Sequence, residues 1–285
     1  MAWGIIIAIY LFLAGAGAGS FLIAVLTERS GVNKDNEALI KAGTILAAPL
    51  VAIGTLFLVL DLTWVEAGKF EPWRIFYLYT HFTSMITWGT WILTLFMPVS
   101  FIYGWMKLKN PYYSNNLLRC AGAVLAFATS VYTGILLGVV KAVPFWNNAV
   151  IPVLFVVSAL VTGMAASILG SFVFGGKTLP DFFKPLHTGL AVVELLLIFF
   201  LLMIAVNGPI AANQSAELII SGKYSFYFWG VLVLLGIILP GVIGATASPK
   251  ASKGVKALDA LLVLLGGFTL RALILLAAVP VTLMN

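Results

Sequence analysis

YLFLAGAGAGSFLIAVL, from Tyr10 to Leu26, sets alternating glycine and alanine inside an otherwise apolar run. A dinucleotide fingerprint needs its glycines between a strand and the exposed N-terminus of a helix. Here they fall in mid-run, in a stretch about 20 residues long that can cross a hydrocarbon core, where backbone groups must bond within their own helix. Phosphate cradling is therefore excluded. The Ala-x-Ala pattern mimics a cleavage site, yet the opening residues MAWG lack the positive n-region of a signal peptide. What remains is packing: Gly15 and Gly19 stand four apart on one face, with Ala14, Ala18 and Ser20 nearby, and let a neighbouring helix approach closely.

Working outward, the 285-residue chain is 62% hydrophobic and only 9% charged, against roughly 45–50% and 25% in soluble domains. Apolar runs of membrane-crossing length lie at about 3–26, 38–62, 82–106, 117–140, 149–173, 187–206, 226–246 and 257–280. The chain thus reads as an all-α integral membrane protein of eight transmembrane helices. No soluble domain fits between them, because the longest gaps are about 20 residues. The fifth run repeats the small-residue flavour of the first in SALVTGMAASILGS and points the same way, which hints at two parallel four-helix halves.

A net charge of +6 would suggest nucleic acid in a soluble chain, but here the basic residues sit in the short connections and report orientation. Arg29, Lys34, Lys41, Lys107, Lys109, Arg119, Lys177, Lys184, Lys250, Lys253 and Lys256 follow odd-numbered helices, whereas only Lys69, Arg74, Lys141 and Lys223 follow even-numbered ones. The positive-inside rule makes the odd connections cytoplasmic and both termini external. Trp3, Trp64, Trp73, Trp146 and Trp229 fall near the outer ends, where amphipathic rings favour the interface.

Polar residues inside spans are costly unless they face protein or water. On this topology Tyr10, Asp61, His81 and Tyr132 lie in the outer half, Glu194 near mid-span, and Arg271 about 14 residues into the last helix, roughly 20 Å from its cytoplasmic start. One expectation is a polar pocket opening outward. The other is that Glu194 and Arg271 form a structural ion pair and the tyrosines belong to the interfacial belt. Bis-histidine haem is disfavoured, since His81 and His187 lie at opposite ends of the spans. The single cysteine, Cys120, excludes a disulfide framework and a thiolate-held cluster or zinc site.

IAIYLFLAGAGAG in the first helix, LDLTW closing the second, HFTSMITWGTW opening the third, YTGILLGVVKAVPFWNNAVIPVLFVVSALVTG across the fourth and fifth, and LRALIL in the last together resemble the NrfD/PsrC family. Its members are the membrane subunits of polysulfide, thiosulfate, nitrite and related respiratory reductases. The resemblance implies two four-helix bundles without haem or metal, in the cytoplasmic (inner) membrane of a prokaryote. It also implies exchange of electrons between menaquinone or another quinone and a four-cluster, ferredoxin-like iron–sulfur subunit on the outer face, with a molybdopterin or cytochrome catalytic subunit beyond. Matched position by position, it places Tyr10, Tyr132, Lys141, Trp146 and Asn147 at the quinone, and Asp61, His81, Glu194 and Arg271 on proton routes. Tyr10 stands where some members have histidine, and the apolar Ile6–Ile7 pair replaces an asparagine that some carry.

The residues fit this chemistry. Tyrosine hydroxyls donate or accept without carrying charge into the membrane, and His81 and Asp61 at the rim can hand protons to water. The outer connections at 63–80 and 207–225, with KAVPFWNN, are the expected docking face. A transporter or proton channel is the rival, with matched midplane helix breaks as its mark; a passive anchor is a second.

Overall fold

The computed structural model describes residues 3–32, 36–65, 73–176, 180, 182–246 and 252–281. Lys34, Lys69, Lys177 and Lys250, counted above for orientation, lie outside the described residues, as do the side chains of Trp64 and Arg74. Among the described residues eight helices are long and apolar enough to cross a membrane. They are α1 (Ile5–Arg29), α2 (Glu37–Leu60), α4 (Met85–Lys109), α5 (Asn116–Gly138), α6 (Val150–Ser171), α7 (Phe183–Val206), a seventh span running from π-helical Tyr227–Ile238 into α9 (Leu239–Thr246), and α10 (Lys253–Leu276). Among the described residues two short helices that hydropathy does not reveal, α3 (Arg74–Thr80) and α8 (Ile210–Ile220), fill connections on the side that the charge asymmetry makes external, called outer below.

Local chemistry marks several ends. The side chains of Ser84, Asn115 and Ser252 accept from Ile86, Leu118 and Val255 backbone N–H groups, capping α4, α5 and α10. Arg29 and the pair Lys107 and Lys109 occupy the last turns of α1 and α4, where the helix dipole favours cations. The last helix begins at Lys253 and stops at Leu276, four residues earlier at each end than expected, so Arg271 lies only about 8 Å below its outer end.

Helices α1, α2, α4 and α5 pack as one ring, and α6, α7, the seventh span and α10 as another. The rings meet along α1 and α6, with α5 touching α6 and α1 touching α10 across the seam. Accordingly, 67% of the most apolar window is buried in α1 and in α6, against 28% in α2 and α7. Lipid tails are as apolar as leucine, so close backbone packing and hydrogen bonds hold such helices together. At the α1–α6 crossing Gly19 and Gly163 lie backbone against backbone: a Cβ on Gly19 would run into the Ala159 carbonyl, and one on Gly163 into Gly19 and Ser20. The Ser20 hydroxyl adds a bond to the Gly163 carbonyl at 3.2 Å.

The outer end of the seam is tied separately. The Trp146 indole N–H donates to the Ile274 carbonyl at 2.7 Å, and Trp3 stacks on the Trp146 ring at 5.2 Å. Beyond α10, Val279 N–H donates to Ser215 Oγ and Val281 N–H to the Ala142 carbonyl, strapping the chain end over α8 and the α5–α6 connection.

Candidate functional site

The six polar groups expected in one outward pocket fall into separate places, because α1 stands between them. Tyr10 and Gly15 are five residues apart, hence roughly 140° apart around the helix. Tyr10 therefore turns into the first bundle, while Gly15 faces the second and makes room for Arg271, whose Nη2 is 2.6 Å from where a Cβ would stand. Gly15 was expected to serve helix packing; it serves a side chain instead, and Gly19 alone of the pair takes the helix contact.

In the first bundle Tyr10 and Tyr132 sit at matching depth, about 8 Å and 9 Å below the outer ends of α1 and α5. Gly89 on α4 provides the space for the Tyr132 ring, since any Cβ there would overlap it. The two phenols are fully or nearly fully buried and close enough to interact electrostatically. The two hydroxyls lie close to each other, and neither makes a hydrogen bond of ordinary geometry among the described residues. A buried hydroxyl left unpaired costs about 1–3 kcal/mol, so the pair presents two donor-acceptor groups suited to a ligand with polar atoms.

In the second bundle Arg271 is fully buried and donates through Nη1 to Ser158 Oγ at 3.0 Å and to the Gly267 carbonyl at 2.9 Å. The faces of Phe155 and Phe12 lie 5.4 Å and 6.0 Å from the guanidinium, a cation–π arrangement. Nε and Nη2 have no hydrogen-bond partner among the described residues. Glu194 on α7, also buried, lies close to the same Ser158 side chain. Among the described residues no ion pair within 4.0 Å joins Glu194 to Arg271; α6 lies between α7 and α10, and of the two charges it is Arg271 that hydrogen-bonds Ser158. Ser158 was missed as a site residue although it opens the small-residue run SALVTG; its size suggested packing only.

Other expected residues sit at the rim. Asp61 is buried where α2 passes into the π-helical turn Asp61–Val65. His81 is exposed, ending α3, with Nδ1 3.1 Å from Thr80 Oγ1 and its ring against Tyr77. Lys141 and Asn147 line a cleft at the outer seam that neither Tyr10 nor Tyr132 lines. Trp146 is fully buried and its one donor is taken by Ile274, so it acts in the strap described above.

Among the described residues the most connected ionic cluster lies at the opposite end of the first bundle from the tyrosines, the end that the charge asymmetry assigns to the cytoplasm. Glu28 receives the Tyr103 hydroxyl at 2.6 Å, Lys107 Nζ at 3.1 Å and Arg119 Nη1 at 3.3 Å. Lys107, fully buried, also donates to the Pro111 carbonyl. Hydropathy counts Lys107 and Arg119 as connection charges, and only the packing of α1, α4 and α5 reveals that they converge on one carboxylate.

A family model described as "Polysulphide reductase, NrfD" matches residues 1–282. The protein is 29% identical to the C subunit of the polysulfide reductase of Wolinella succinogenes, over 96% of its own length and 93% of the relative. It is 27% identical to protein NrfD of Escherichia coli, over 84% and 83%. It is also 23% identical to the Hdr-like menaquinol oxidoreductase integral membrane subunit of Archaeoglobus fulgidus, over 85% and 62%.

Proposed function

Because the chain belongs to the NrfD polysulphide reductase family and is a multi-pass integral membrane protein, we propose that it is the quinone-binding membrane subunit of a respiratory oxidoreductase. The observation that carries this is the buried pair Tyr10 and Tyr132, whose hydroxyls lie at one depth in the outer half of the first bundle and lack partners among the described residues. Both relatives named as reductase or oxidoreductase subunits support a role in a complex, and one is named for menaquinol.

A bound quinol supplies two electrons and two protons. Tyr132 and Tyr10 would hold its oxygens, each as donor or acceptor without a net charge in the membrane. Asp61 and His81 at the outer rim would hand protons to water. Glu194, beside Ser158, would hold a proton at mid-depth in the second bundle, with Arg271 as its nearby counter-charge. Electrons would leave to an iron–sulfur subunit docked on the outer face, with a molybdopterin or cytochrome subunit beyond it, at the inner membrane of a prokaryote. The transporter alternative asks for helix breaks at equivalent places in the two halves. The π-helical segments instead close the second span and open the seventh, which are not equivalent.

Tyr132→Phe tests the reading. It keeps the ring that fills the Gly89 notch, so assembly should persist, while quinol-dependent electron transfer to a soluble acceptor should slow about 10-fold, the loss of one hydrogen bond of about 1.5 kcal/mol. Quinol kinetics equal to wild type would remove Tyr132 from the site.

A further inference from the structure

The outer seam between the bundles holds a cleft of about 340 Å³. Lys141, Asn147 and Asn148 form its polar side, and Phe145, Ile204 and Ala212 belong to its apolar wall. Lys141 is exposed, and among the described residues no carboxylate pairs with its ammonium. Asn147 is held by donating to the Gly138 carbonyl at 2.7 Å, and Asn148 by accepting from Val150 N–H at 2.8 Å, which leaves the Asn148 amino group as a second donor toward the cleft.

Depth and direction identify the ligand class. Lys141 follows the end of α5 at Gly138, and Ile204 precedes the end of α7 at Val206, so the cleft straddles the ends of two spans, at the level of lipid headgroups. Below it α7 turns Phe199, Phe200, Met203 and Ile204 outward, each about half exposed, and these face hydrocarbon in a bilayer. Cationic and amide donors therefore stand above an apolar wall that continues into the lipid-facing side of α7. A free anion would make no use of that wall, a lipid without a phosphate would leave the lysine uncompensated, and a zwitterionic headgroup would bring a second cation beside it.

We propose that this cleft binds the phosphodiester headgroup of an anionic phospholipid of the outer leaflet, with Lys141 against the phosphate and an acyl chain along α7. Such a lipid bridges the α5–α6 connection and α7, and so spans the joint between the bundles. The assignment stands on the span ends and the cleft, independently of the quinone reading; because the cleft shares residues with the docking face expected from KAVPFWNN and 207–225, it requires the lipid to stay bound beneath a docked subunit.

Native mass spectrometry of the detergent-purified protein, delipidated and titrated with phosphatidylglycerol, tests it. Wild type and Lys141→Arg should each take up one phosphatidylglycerol that Lys141→Gln binds about 5-fold more weakly, the effect of one basic residue at a membrane surface. Phosphatidylcholine and inorganic phosphate should not compete. Equal affinity in Lys141→Gln overturns the proposal. So does competition by inorganic phosphate, which marks a free-anion site, or displacement of the lipid when partner subunits are added back, which marks a protein interface.

Discussion

Ser158 stands where two buried charges approach each other. Its hydroxyl accepts from Arg271 and lies close to Glu194, so a small side chain on α6 stands near where a direct ion pair was one expectation. Removing one member of a buried charge pair leaves the other uncompensated, at about 3–5 kcal/mol. Glu194→Gln and Arg271→Gln should therefore each lower the thermal midpoint in detergent, and the double substitution should cost less than their sum. If Ser158 is the link, the same double-mutant cycle built on Ser158→Ala should show coupling reduced to the ~0.5 kcal/mol expected of independent sites. Coupling unchanged by Ser158→Ala would mean that the charges meet directly. Measured on quinol turnover, the cycle should show coupling there as well; coupling confined to stability would assign the trio to structure and remove Glu194 from proton handling.

At the scale of elements, the glycines of α1 divide by what each one faces. Gly19 meets the backbone of α6 and Gly15 the end of a flexible arginine. Gly19→Ala forces two helices apart and should reduce the yield of monodisperse protein on size exclusion sharply, at the upper end of the about 1–3 kcal/mol typical of overpacking or beyond it. Gly15→Ala asks only that the Arg271 guanidinium shift, and its yield should stay near wild type. Equal losses would show that the crossing does not depend on Gly19. Small residues four apart were legible from the sequence as a packing face, but not their partners. Spacing places two residues on one side of a helix, whereas the identity of the neighbour depends on how all eight spans are arranged.

For the whole molecule, the charge asymmetry makes a topology that can be labelled. Because Cys120 is exposed near the start of α5, the test is made in a Cys120→Ser background. Ser252→Cys, before α10, should resist an impermeant thiol reagent in intact cells, and Asn213→Cys, on α8, should react; the reverse pattern would invert the protein and move the tyrosine pair to the cytoplasmic half. By itself the sequence determined the class and the number of spans, because crossing hydrocarbon demands about 20 apolar residues each time and that demand is local and additive along the chain. It also marked Tyr10, Tyr132, Glu194 and Arg271, since polar groups stand out against such a background. Only the tertiary structure decided that the tyrosines share one bundle and the charges another, that Arg271 bonds Ser158 with no ion pair to Glu194 within 4.0 Å among the described residues, and that Glu28 gathers Tyr103, Lys107 and Arg119. Those outcomes depend on which faces of α1 and α6 meet at the seam, and that is set by backbone contact between helices far apart in the chain, which no local pattern encodes.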